Sequence, residues 1–298
     1  MKRGILSGIG AYVLWGFFPI YWKLLHNVPA PELIGHRIVW SSLLLIVVIL
    51  ITGQGSEFRA TFNWRTIGIY LIASLLIGIN WLTYVWAVNA GHIVETSLGY
   101  FINPLLSVLL GLIVLRERLR PAQWLPVGIA CIGVAYLTIQ FGQLPWIALV
   151  LAFTFGFYGL VKKLAPLSSL HGLTLETGIL LIPAVVYLVF VEWTGAGAFL
   201  HTGFLSDLLM IGAGLVTTIP LLMFASAAKQ IPLTMIGVLQ YLAPTIQFLI
   251  GVFVYKEECD SSRLIGFSIV WLALITFWLE NYWASRVTVK PIPEMGEG

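Results

Sequence analysis

A chain of 298 residues that is 59% hydrophobic and only 10% charged, with a mean hydropathy of +0.95, is excluded from the soluble class, where roughly 25% of residues are charged. Most of its surface must face lipid. The net charge of +3 comes from basic residues scattered through loops, so it gives no nucleic-acid footprint, and two cysteines, Cys131 and Cys259, supply neither a disulfide framework nor a metal spacing.

The chain reads as an all-α membrane protein with spans at roughly 4–24, 33–52, 66–89, 93–115, 121–139, 145–163, 171–191, 206–228, 232–255 and 263–283, each near the roughly 20 residues that cross a hydrocarbon core. The first follows Met1-Lys2-Arg3 with no small-residue cleavage site, which predicts an uncleaved span; it carries Pro19. The second holds His36 and Arg37 about one turn from its start. The third holds Asn80, Trp81 and Tyr84. The fourth opens near Glu95, continues through Tyr100, and has Asn103-Pro104 at its centre. The fifth contains Cys131, read as a small packed hydrophobe. The sixth ends on Lys162-Lys163, the seventh begins near His171 and Glu176, and the eighth contains Pro220. The ninth carries Gln240, Tyr241, Pro244 and Gln247. Short turn-like segments join them, so no soluble domain is inserted. The tail, 286–298, with two prolines and two glutamates, is expected to be flexible.

A shift of 140 residues aligns the chain with itself. Gly16-Phe17 meet Gly156-Phe157, Lys23-Leu24 meet Lys163-Leu164, Pro104 meets Pro244, and Glu117 meets Glu257. The spacing predicts a first five-helix unit over 1–140 and a second over 141–285, followed by the tail 286–298. Five is odd, so the second unit enters the membrane from the opposite side. An inverted repeat predicts alternating access around a site near the midplane.

Call the side of Met1 side A. It receives twelve basic residues: Lys2, Arg3, Arg59, Arg65, Arg116, Arg118, Arg120, Lys162, Lys163, Lys229, Arg286 and Lys290. Side B receives three: Lys23, Lys256 and Arg263. The bias predicts that side A, with both termini, is cytoplasmic. The side-B loop from Lys256 to Asp260 is net acidic, in keeping with an outside position.

Charge at membrane depth usually faces a bundle interior or a wet cavity. His36, Arg37, Glu95 and Glu176 are therefore candidates for a gate or a coupling site. Arg37 and Glu95 lie at similar depth, and a pair between them is expected, either as a structural salt bridge or along the substrate path. Glu176 reads equally as an interfacial carboxylate near His171. Lys23 and Lys163 end their spans and are expected to snorkel. Each proline removes a backbone hydrogen bond, so Pro19, Pro104, Pro220 and Pro244 are read as helix breaks, tolerated only where protein or water satisfies the freed carbonyl. Asn80, Trp81, Tyr84, Tyr100, Asn103, Gln240, Tyr241 and Gln247 gather near these breaks and are candidate substrate-binding residues. The alternative is interhelical glue. Trp15, Trp22, Trp64, Trp193 and Trp283 fit an interfacial belt, and the span glycines, Gly128, Gly214 and others, fit close helix packing.

The first helix, Ala11 through Lys23, resembles the opening of the RarD-type branch of the EamA-like drug/metabolite transporter superfamily. His36-Arg37, Asn80-Trp81, the run from Glu95 to Pro104, Leu115 to Leu119, and Gln240 to Pro244 strengthen the resemblance, which covers residues 1–285. It implies a bacterial inner-membrane permease for a small organic metabolite or drug, with cytoplasmic termini; related members export amino acids, metabolites or drugs, and the branch is linked by name to chloramphenicol sensitivity. The expected partners are a small-molecule substrate and the lipid bilayer. No cofactor and no metal are expected. Against an enzyme, the chain has no H-E-x-x-H, G-x-S-x-G or P-loop motif. A channel filter motif is also missing from the sequence. A non-transporting receptor or structural membrane protein is the alternative reading.

Overall fold

The computed structural model describes residues 2–90, 92–256 and 261–287, and every regular element among them is helical. Eight apolar stretches are long enough to cross a membrane, from Lys2–Lys23 to Leu233–Val254, and two shorter ones, Leu98–Ile113 and Leu264–Glu280, lie where the fourth and tenth spans were expected. The chain is a multi-pass membrane protein. The loop residues 257–260, including Glu257 and Cys259, and the tail from 288 lie outside the described residues.

The first compact unit comprises Met1–Glu117 and Gln143–Glu258. Its helices are α1 (Lys2–Gly16), α2 (Phe18–Lys23), α3 (Ala30–Ile51), a short α4 (Gly55–Ala60), α5 (Trp64–Asn89) and α6 (Ile93–Ile113). In the second unit, Arg118–Gly142 with Cys259–Gly298, a single 3-10 turn at Pro121–Gln123 leads into α7 (Trp124–Phe141). The first unit then resumes with α8 (Trp146–Leu164), α9 (Ser169–Trp193), α10 (Phe204–Gln230), α11 (Leu233–Gln240) and α12 (Leu242–Leu249), followed by a π-helical turn at Ile250–Val254. The last helix, α13 (Ser261–Val287), packs on α7 within the second unit.

Inside the first unit α6 lies between α8 and α11, α1 runs along α10, and α3 packs on α9 and α10. Small residues permit these approaches. A Cβ on Gly214 would stand 2.5 Å from that of Trp40, so α3 and α10 touch nearly backbone to backbone. A Cβ on Gly237 would stand 2.5 Å from the carbonyl oxygen of Pro104, which places α11 directly against the proline turn of α6. Gly128 is different: among the described residues nothing lies within 4 Å of where its Cβ would stand, so no close packing is seen there. Trp15 also departs from its expected place. It sits in an aromatic cluster with Tyr12, Phe155 and Phe224, at ring separations of 5.4 to 6.0 Å, rather than at an interface. Trp64 and Trp193, 89% and 86% exposed, keep the interfacial reading.

The prolines act unequally. Pro19 is the second residue of α2, and the first apolar stretch is jointed just before it at Phe17. Proline at 19 cannot donate to the carbonyl of Trp15, four residues back. That carbonyl instead accepts from Gln247 Nε2 at 3.0 Å, a side chain from α12. The ninth stretch is jointed at Tyr241, three residues ahead of Pro244. By contrast α6 runs on through Pro104 and α10 through Pro220, so these two prolines perturb their helices without interrupting them.

Candidate functional site

Arg37 lies on the second turn of α3. Its guanidinium is 4.6 Å from the ring of Trp81 on α5 and 5.0 Å from that of Trp22 on α2, and its Nε donates to Thr217 Oγ1 on α10 at 2.9 Å. Delocalised and weakly hydrated, guanidinium suits such an aromatic bed better than an ammonium would. Trp22, expected at the interface, thus also stands over this guanidinium and joins the candidate site. Tyr84 and Tyr100 make an edge-to-face pair at 6.0 Å, each more than a third exposed, and both phenols lie within electrostatic reach of Arg37. Four expected candidates, Arg37, Trp81, Tyr84 and Tyr100, are thus brought together from α3, α5 and α6.

The expected pair of Arg37 with Glu95 does not form. Glu95 is buried and its Oε1 accepts from the backbone N–H of Ile147 at 2.7 Å, where α8 begins. The first N–H groups of a helix have no partner within it, and a carboxylate there meets both the orphan donors and the positive end of the dipole. Two further carboxylates also bond backbone N–H groups, one in a non-helical segment and one at a helix start. Glu32 accepts from Ala198 N at 2.8 Å and Phe199 N at 3.1 Å. Glu117 accepts from Leu233 N at 2.7 Å and Thr234 N at 2.9 Å, at the start of α11. His36 belongs to the Glu32 group: its Nε2 is 3.7 Å from Glu32 Oε1 and its ring lies against Phe199 at 4.7 Å. It is set away from Arg37 by that packing.

Glu176 is not an interfacial carboxylate. It is 1% exposed, as is Lys162, and their charged atoms are 2.6 Å apart. Tyr158 donates its hydroxyl to the second carboxylate oxygen at 3.0 Å, and Lys162 lies over the rings of Tyr70 and Tyr158 at 5.6 and 5.7 Å. A pair this buried requires such close geometry and extra hydrogen bonds to offset desolvation. Lys162 was legible only as a residue at a span end. Its spacing of four from Tyr158 on α8 is the one sequence signal that puts both on the same helix face. Nearby, Lys163 donates to the carbonyls of Ala228 and Ile231 at 3.2 and 2.6 Å, and Lys229 to those of Ala165 and Leu167. Lys163 therefore ties down the end of α10 instead of snorkelling. Lys23, 140 positions earlier, lies 3.3 Å over the ring of Tyr255.

The remaining amide and phenol candidates join helices. Asn80 Nδ2 donates to Leu151 O and Thr154 Oγ1, both at 2.9 Å. Gln240 Oε1 accepts from Ser107 Oγ at 3.3 Å, and Tyr241 donates to Phe101 O at 3.3 Å. Asn103 stands apart: it is buried and, among the described residues, its Oδ1 has no partner. It lies one turn from Tyr100 on α6, a spacing that puts both on one helix face.

Comparison with known proteins places the chain in a family. The EamA-like transporter family matches residues 2–139. An uncharacterised transporter of Pseudomonas aeruginosa is 46% identical over 297 residues, 98% of each chain. YojE of Bacillus subtilis, also named an uncharacterised transporter, is 45% identical over 93% of each chain. Protein RarD of Escherichia coli is 40% identical over 97% of this chain and 98% of its own. A solved crystal structure, 20% identical, superposes with a TM-score of 0.71 over 93% of this chain and 98% of that one, a likeness of fold. Such identity over nearly the whole length, with a matching multi-pass helical fold, means that the chain belongs to the EamA-like transporter family, as a RarD-type member of the drug/metabolite transporter superfamily.

Proposed function

We propose that the protein is a secondary transporter that exports a small organic solute across a bacterial inner membrane. Its halves, 1–140 and 141–285, would form a ten-helix inverted repeat and alternate access, with both termini cytoplasmic. The reading rests on one observation above others. Trp81, Tyr84 and Tyr100, from two helices, gather about Arg37 at roughly 10 Å from the start of α3, counting 1.5 Å per residue. Half-exposed aromatics around a few polar groups suit an organic molecule held by stacking and directed hydrogen bonds. The unpartnered Oδ1 of Asn103 adds an acceptor one turn deeper. The aromatic cluster of Tyr12, Trp15, Phe155, Tyr158 and Phe224, with the Glu176–Lys162 pair beyond it, would close the path toward side A.

Uptake into proteoliposomes of a solute panel, with and without a pH gradient, tests the reading. Organic acids, amino acids, neutral aromatics and amphenicols should be included. Accumulation of at least one solute that saturates with concentration, and is lost in Trp81→Ala, is expected. No protein-dependent flux for any solute would favour a receptor or structural role.

A further inference from the structure

Building on the transport reading, we infer that the site at Arg37 binds the carboxylate of a net-anionic organic acid carrying a flat apolar body. The argument begins with what Arg37 lacks. Among the described residues its hydrogen bond is one, from Nε to the neutral Thr217 hydroxyl, and it forms no ion pair. A guanidinium carries five N–H donors, so its terminal nitrogens keep theirs.

The carboxylates of the helices around it are already engaged. Glu95 holds Ile147 N, Glu32 holds Ala198 and Phe199 N, and Glu176 holds Lys162 and Tyr158. Glu192 lies 3.0 Å from His201, and Asp207 accepts from Leu200 N. A permanent cation inside a span without an acid is rare and costly. The groups in electrostatic reach of it, Tyr84 and Tyr100, are phenols.

Geometry narrows the ligand. Trp22 and Trp81 lie within stacking range of the guanidinium, and Thr217 holds the Nε edge. The edge bearing the two terminal nitrogens remains, and that fork matches a planar carboxylate bidentately. Tyr84 and Tyr100 would flank the apolar body. No described carboxylate is free at this site to receive an ammonium, so a zwitterion gains nothing over the simple acid.

The test is calorimetric titration of the detergent-solubilised full chain with matched probes: phenylacetate against phenylacetamide, benzoate against benzamide, and phenylalanine as the zwitterion. At least one acid should bind about 10-fold or more tightly than its amide, as expected for a charge-assisted bidentate pair, and more tightly than phenylalanine. The preference should vanish in Arg37→Gln and persist in part in Arg37→Lys. Equal affinity for acid and amide in the unsubstituted protein overturns the inference, with no variant needed. So does an acid preference that survives Arg37→Gln, and so does failure of both acids to bind. Flux separates the two readings: proteoliposomes that carry amides but no acids would sink the anion site and leave the transporter standing.

Discussion

Tyr241 donates its hydroxyl to the backbone carbonyl of Phe101 at 3.3 Å, and the two residues are 140 positions apart. That separation equals the offset at which the chain aligns with itself, so in a repeat each would occupy the other's place in its own half. Two equivalent residues can touch only near the axis that relates them. If the halves are an inverted repeat, the axis passes beside this contact, between α6 and the joint of α11 with α12. Superposing 1–140 on 141–285 in an experimental structure should give a two-fold axis in the membrane plane. Cysteines placed at Thr61 and Thr202 in a cysteine-free background should label from opposite sides of the membrane. An axis along the membrane normal, or labelling from one side, would end the proposal.

The Glu176–Lys162 pair is set in the protein interior with Tyr158 as its third member. Removing one partner from a buried pair generally costs about 3–5 kcal/mol, because the other charge is left alone. Glu176→Leu is expected to lower thermal stability sharply, and Glu176→Leu with Lys162→Met to restore much of it. Equal losses in the single and double variants, measured by thermal unfolding in detergent, would show that the pair is not the source.

Arg37 and Glu95 answer to different partners. Their substitutions should therefore add, as changes at independent sites do within about 0.3–0.5 kcal/mol. Glu95→Ala should lose the α8 cap, worth roughly 1 kcal/mol, and Glu95→Gln, which keeps an acceptor, should lose less. A coupling energy well beyond that scatter between Arg37→Ala and Glu95→Ala would revive a direct pair.

Asn103 and Gln247 separate binding from glue. Asn103 Oδ1 has no partner among the described residues, so Asn103→Ala is expected to change stability little and to weaken transport. Gln247 caps the Trp15 carbonyl freed by Pro19, and Gln247→Ala should lose about 1 kcal/mol of stability by leaving that group unmet. Stability and specific flux of each purified variant decide it; the reverse pattern would exchange their roles.

His201, in the exposed segment between α9 and α10, lies 3.0 Å from Glu192 Oε1, and that hydrogen bond and charge raise its pKa above the ordinary 6.5. A raised value means that the folded state holds the proton more tightly. The contribution is full below the unfolded pKa and is lost as pH rises through the folded one. The melting temperature of His201→Gln should fall below that of the parent in acid and converge with it in alkali, by a small margin because both groups are exposed. A gap that widens with pH would contradict this sign.

The spans were legible in outline because lipid demands long apolar helices: eight expected stretches are helices long and apolar enough to cross, and shorter apolar helices lie at the fourth and tenth. The joint before Pro19 was legible for a similar reason, since proline leaves a local mark. The partners of the acids were not. Glu32, Glu95 and Glu117 bond backbone N–H groups 52 to 167 positions away, and a peptide N–H carries no residue identity for spacing to reveal. Glu95 was read as a partner for Arg37 on depth alone, yet depth fixes only one of three coordinates. Lys162 looked like its neighbour Lys163, but adjacent helix positions differ by about 100° of rotation, and that turn carries one to Glu176 and the other to the end of α10.

The pairing of α7 with α13 has a consequence for synthesis. α7 is finished at Phe141 and its partner begins at Ser261, roughly 120 residues later, which at about 5–20 residues per second is a wait of roughly 6–24 s. Throughout that time α7 must live in the bilayer without the neighbour it packs on within its unit. Its sequence suits the delay: only 22% of its most apolar stretch is buried in the finished fold, so most of its surface is content with lipid from the moment of insertion. The second unit is thus the last part of the protein that can be assembled, and the first unit has every one of its helices in hand before that assembly starts.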